Sequence, residues 1–222
     1  NMRNTILSMM ILISSTAFAQ LTIPNGAQLT VTNDGYLYAN EAIVNQGTVT
    51  LNSGKLILAN NFNNASGTLS AANASLEVVG ANTQSFTFGS NDIVKRVELN
   101  KSASTATVAA GKLTITDGFK SVAGTLDASE KIILQSTSTK TAIVEPSKAG
   151  TVTNMVVERF IPAKRAFRLL SSPVTSTTSI KYNWQENQNN TSPVFANNSN
   201  TASGYGTHIA GSTTGANGFD AT

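Results

Sequence analysis

From Asn45 to Gly80 the chain sets apolar residues at every second position in short runs: Val49 and Leu51, Leu56 and Leu58, Leu69, then Leu76 and Val78. A period of two places one set of side chains on a single face of a strand. Between the runs stand Asn-Ser-Gly, Asn-Asn and Ala-Ser-Gly. These residues accept left-handed or hydrogen-bonded turn conformations, so a turn is predicted after each run of about five residues. The segment also repeats: Asn45-Gln46-Gly47-Thr48-Val49 returns as Asn64-Ala65-Ser66-Gly67-Thr68-Leu69, with the glycines 20 positions apart and the asparagines 19. Strands this short bury little alone, and repeats of this length become stable when successive copies stack around a shared core.

The pattern extends in both directions. Leu29 and Val31 alternate with polar residues after Asn25-Gly26, and Gly26 lies 21 positions before Gly47, which reads as the same register. Ile93, Val97 and Leu99 alternate more loosely, followed by Leu113, Ile115, Leu126 and Ile132-Ile133-Leu134. Residues 20–150 are therefore predicted to be all-β, a right-handed parallel β-helix (β-solenoid) of about six coils of about 20 residues. At about 4.8 Å per coil this makes a rod about 30 Å long. A flat β-sandwich built from the same strands is the alternative, because periodicity does not fix how a sheet closes. Asn45 and Asn64, one coil apart, either bond to each other as an amide ladder or occupy left-handed turn positions.

The ends read differently. Residues 1–19 have the three parts of a signal peptide: Arg3, the apolar stretch Ile6 to Ile13, and the small-x-small site Ala17-Phe18-Ala19. The mature chain is expected to begin at Gln20 and to be secreted or held on the outer cell surface without inserting in the membrane, since a spanning helix needs about 20 apolar residues. After Gly150, Thr151 to Ile161 is predicted as one longer strand, Pro162 to Arg165 as a turn and Ala166 to Val174 as a second strand. Residues 151–222 are expected to be the opening of a β-sandwich-like domain, truncated, in a chain that is a fragment.

Composition narrows the classes. The chain is 40% hydrophobic but only 12% charged and has no cysteine, which suits an extracellular β-structure held by backbone pairing and stacked aliphatics. A net charge of +3, dispersed along the chain, does not call for nucleic acid or an anionic membrane as partner. Acids and bases for chemistry are sparse. Glu77 and Glu98, 21 positions apart, are the pair a solenoid would bring to one face, where two carboxylates about 5 Å apart would serve a glycosidase. Solvated charges beside Lys95, Arg96 and Lys101 are the plainer reading. His208 is the only histidine, and neither Gly204-Tyr205-Gly206 nor Gly111-Lys112-Leu113 completes a nucleotide-binding motif. Arg159, Phe160, Phe167 and Arg168 are read as two core-facing rings between outward charges, in preference to a single-stranded nucleic-acid surface. Tyr182, Trp184 and Tyr205 are too dispersed to claim as a sugar platform. No catalytic, cofactor-binding or metal-binding residue is assigned.

The order of a glycine-punctuated solenoid, then Val157 to Val174 (VERFIPAKRAFRLLSSPV), then Gly204-Tyr205-Gly206-Thr207-His208 and Gly215-Ala216-Asn217-Gly218-Phe219-Asp220, resembles the large secreted surface proteins of Bacteroidetes bacteria. The resemblance implies an adhesin-like, non-catalytic stalk presenting a downstream domain. It also implies export by the type IX secretion machinery through a C-terminal sorting domain, which this sequence does not contain. Expected partners are a surface glycan or an extracellular-matrix ligand of a host. A carbohydrate-active enzyme, a polysaccharide lyase or hydrolase on a β-helix, is the alternative function.

Overall fold

The computed structural model describes residues 20–32, 34–146 and 149–160, Thr175, and the backbone of 209–210 and 219–220. The expected signal peptide, the strand and turn expected over 162–174, Phe167, Arg168, Tyr182, Trp184, Tyr205 and His208 lie outside the described residues. All regular structure within them is β.

The first coil is β1 (Leu21–Ile23), β2 (Gln28–Val31) and β3 (Tyr36–Ala39), and the second is β4 (Ile43–Asn45), β5 (Thr48–Leu51) and β6 (Lys55–Leu58). Each strand pairs in parallel with its equivalent one coil on: β1 with β4, β2 with β5, β3 with β6. The stack continues through β7 (Phe62–Asn63), β8 (Thr68–Gly80), β9 (Gln84–Thr87), β10 (Asp92–Ala110), β11 (Leu113–Asp127), β12 (Ile132–Leu134), β13 (Ile143–Val144), β14 (Thr151–Thr153) and β15 (Val156–Val157). The chain forms a parallel β-solenoid of about six turns with three sheet faces. The first face carries β1, β4, β7, β9 and the ends of β10 and β11; the second runs through β2 and β5; the third runs through β3 and β6.

β8, β10 and β11 are long because they turn corners without breaking. Val94 pairs with Ala71 on the second face and Arg96 with Ser75 on the third, with a register shift between them, and Ala106 then pairs with Gln84 on the first face. Such a bulge bends a strand and keeps its ladder. Val49 stands against Leu69, and Leu56 against Leu76, as the repeat predicts. The interior they share is closed and apolar: Val49, Leu56, Leu76, Val97, Leu99, Leu113, Ile115 and Leu126 are all at most 2% exposed. At about 2 kcal/mol per buried aliphatic chain, this shared core is the main favourable term. Phe62 and Phe86, register partners on the first face, tilt against Phe88 with ring centroids 5.8 Å and 6.2 Å apart.

Four local expectations change. Gln28 pairs with Thr48, so Ala27 and not Gly26 is the rung above Gly47; Gly26 sits one step earlier in a turn with φ +80°. Ile93 points outward and Val94 inward, because the bulge falls immediately after Val94. The parallel stack runs past Gly150: β14 pairs with β11 and β15 with β12, and Asn154 at φ 55° splits what reads as one strand. Phe160 is 45% exposed and does not face the core.

The chain divides into a unit of residues 1–165 and a unit of residues 166–222. The described regular structure of the second is a parallel pair, β16 (Ile209–Ala210) with β17 (Phe219–Asp220). No helix among the described residues is long and apolar enough to cross a membrane.

Candidate functional site

Because every strand stacks on its equivalent, outward side chains form columns, and the three faces differ chemically. On the first face Ser85, Thr107, Asp127 and Thr153 form one column and Thr105, Thr125 and Thr151 the next. On the second, Gln28, Thr48 and Thr68 lie beside Thr30, Thr50 and Ser70. That second column continues through Ile93, Thr114, Ile133 and Val156. Charge gathers on the third face. Tyr36, Lys55, Ser75 and Arg96 share one column, and Tyr38, Ile57, Glu77, Glu98 and Lys120 the other.

Glu77 and Glu98 are direct register partners, so the solenoid does bring them to one face. Like charges so placed repel, and each is flanked by a cation: Lys55 Nζ donates to Glu77 Oε2 at 2.7 Å, and Lys120 Nζ lies 3.8 Å from Glu98 Oε2. Farther along, Arg96 pairs with Glu145 and lies 3.8 Å from Asp117, whose other oxygen accepts from Lys140 at 2.9 Å. The Lys140 hydrogen bond is the largest cause holding the Asp117 carboxyl below its ordinary range. Across the corner between the second and third faces, an open groove of about 580 Å³ is lined by Asp34, Tyr36, Ser53, Lys55, Asn73 and Arg96 among others. Tyr36 is 72% and Tyr38 50% exposed, with Tyr38 Oη donating to Asn40.

Two polar clusters lie inside the rod. At the corner between the first and second faces Asn45 Nδ2 donates to Asn64 Oδ1 at 2.7 Å, and Asn64 Nδ2 to Asp92 Oδ2 at 2.8 Å. Asn45 Oδ1 accepts from the Gly47 amide and Asp92 Oδ2 from the Gly89 amide. The two asparagines are a ladder; neither is left-handed. Burial is the largest influence on Asp92 and pushes its carboxyl pKa up. At the corner between the third and first faces Lys101, 1% exposed, donates to Gly80 O, Asn82 O and Gln84 Oε1 at 3.3, 2.8 and 2.7 Å. Burial pulls the Lys101 ammonium pKa down. Gln84 Nε2 in turn donates to Leu58 O and Val79 O.

Sequence reasoning placed Lys101 among surface charges and did not find Asp92, Gln84 or the Tyr36 groove. An inward lysine or aspartate carries no local signal when the groups that hold it include atoms a coil away: Gly80 O, Asn82 O and Gln84 for Lys101, and Asn64 for Asp92. Among the described residues no group of three or more His, Cys, Asp or Glu side chains is placed to hold a metal ion. Comparison of the chain with protein-family models, curated proteins and solved structures finds no match.

Proposed function

We propose that this chain is a secreted or outer-surface, adhesin-like structural protein whose solenoid is a non-catalytic stalk for a downstream domain. The observation that carries the reading is the coil-to-coil continuity. Parallel pairing runs from Leu21 to Val157, and the ladder of Asn45, Asn64 and Asp92 locks successive coils in register. A rod built this way is stiff along its axis, since bending it requires opening backbone ladders and the dry core together. Columns of threonine and serine on two faces give repeated weak contacts, which sum when many engage one surface. Export through the N-terminal signal, with type IX machinery if the full-length protein carries a sorting domain, belongs to the same proposal. Fractionation and N-terminal sequencing of the exported protein test it, with Gln20 expected as the first residue. Beads coated with the chain should adhere to immobilised polysaccharide or matrix protein; absence of adhesion to every surface removes the adhesive role.

The facing carboxylates Glu77 and Glu98 favour one second reading, a carbohydrate-active enzyme. Turnover of any polysaccharide in a panel, abolished in both Glu77→Gln and Glu98→Gln, would establish it in place of the stalk.

A further inference from the structure

We propose that the corner groove beside Tyr36 is a binding site for a neutral oligosaccharide. This rests on the adhesive reading above and locates its ligand. A sugar ring offers a flat C–H face and a rim of hydroxyls, so its site needs an apolar floor beside polar walls. The groove supplies both. Tyr36, the most exposed large hydrophobic side chain described, forms the floor with half-buried Ile57. The corner residues Asp34, Ser53 and Asn73 of successive coils form the wall. A carboxylate accepts from vicinal hydroxyls while an amide both donates and accepts, so this wall satisfies groups of either polarity.

The wall is preorganised. Asp34 is left-handed at φ 58°, its amide donates to Ser53 Oγ at 3.1 Å, and Gly54 below it packs so closely on Gly35 that a side chain there would strike the Gly35 carbonyl. A site that is already ordered loses little freedom on binding. The charges select a neutral ligand. Lys55 is held by Glu77 and Arg96 by Glu145 and Asp117, and the remaining cation of the lining, Lys95, is matched in formal charge by Asp34 of the same lining. The column from Tyr36 to Arg96 crosses three strand spacings, about 14 Å, which calls for an oligomer and not a single sugar.

Isothermal titration of the full chain with soluble gluco-, manno- and galacto-oligosaccharides, and with oligogalacturonate as the acidic probe, tests the site. At least one neutral series is expected to bind, Tyr36→Ala to weaken it about tenfold, and Tyr36→Phe, which keeps the ring, to recover most of the loss. Asn73→Ala should weaken it severalfold. Binding by the acidic probe alone, no binding by any neutral series, or equal affinity in Tyr36→Ala overturns the proposal. Bead adhesion separates this failure from that of the adhesive role: beads that adhere equally with and without Tyr36→Ala sink the groove only, and beads that never adhere sink both.

Discussion

Asn64 links its two neighbours through both ends of one amide, taking a hydrogen bond from Asn45 and giving one to Asp92. Gly67 makes room for this, since a Cβ there would lie 2.5 Å from Asn45 Nδ2. Gly67→Ala should displace the ladder and cost about 2 kcal/mol in chemical denaturation, typical of overpacking. Asp92 ends the ladder at an electrostatic cost. Its carboxyl pKa is raised by burial, so the fold favours the protonated acid. The associated stability is whole below the unfolded value of 3.8 and is lost as pH climbs through the folded value. Asparagine keeps an acceptor for Asn64 and for the Gly89 amide without a charge to desolvate. Asp92→Asn should therefore melt a few degrees above the parent at pH 7 and level with it near pH 3, by calorimetry.

Single elements explain what could be read in advance. Val49 over Leu69 was legible because glycine spacing and period-two alternation agree there. Ile93 was misplaced because a bulge flips the phase of alternation within one strand, and only the neighbouring coil reveals it. The Asn45–Asn64 pair was legible as a spacing and not as an outcome, since an asparagine at a corner serves ladder and turn equally well in sequence. Lys101 was illegible because a charged residue reads as outward. Its ammonium instead satisfies three acceptors at the corner, and with its pKa lowered by burial the cost of keeping it charged is in force at neutral pH and eases only toward 10.5. Lys101→Met removes that cost but leaves three acceptors without their donor. The second effect is larger, and a net loss of about 2 kcal/mol is expected by urea titration. A gain in stability would mean that water replaces the ammonium.

Across the whole solenoid, each coil contacts only its neighbours, so the cost of a defect depends on where along the rod it falls. Leu76 is 1% exposed between coils on both sides, whereas Leu29 in the first coil is only partly buried. Leu76→Ala should cost about 3 kcal/mol, and Leu29→Ala well under half of that, in parallel denaturation curves.

Strand register is kept while the connections between strands vary in length. Ile115 and Gly118 bracket two residues, and their partners Leu134 and Ile143 bracket eight, the extra chain forming a small hairpin closed at Ser136 and Thr141. That outgrowth is a natural socket for foreign sequence. A peptide tag spliced between Thr137 and Lys140 should be displayed on the side of the rod with the parent's circular dichroism and thermal midpoint intact. The chain is thus a ruler onto which cargo can be clipped without redrawing its scale.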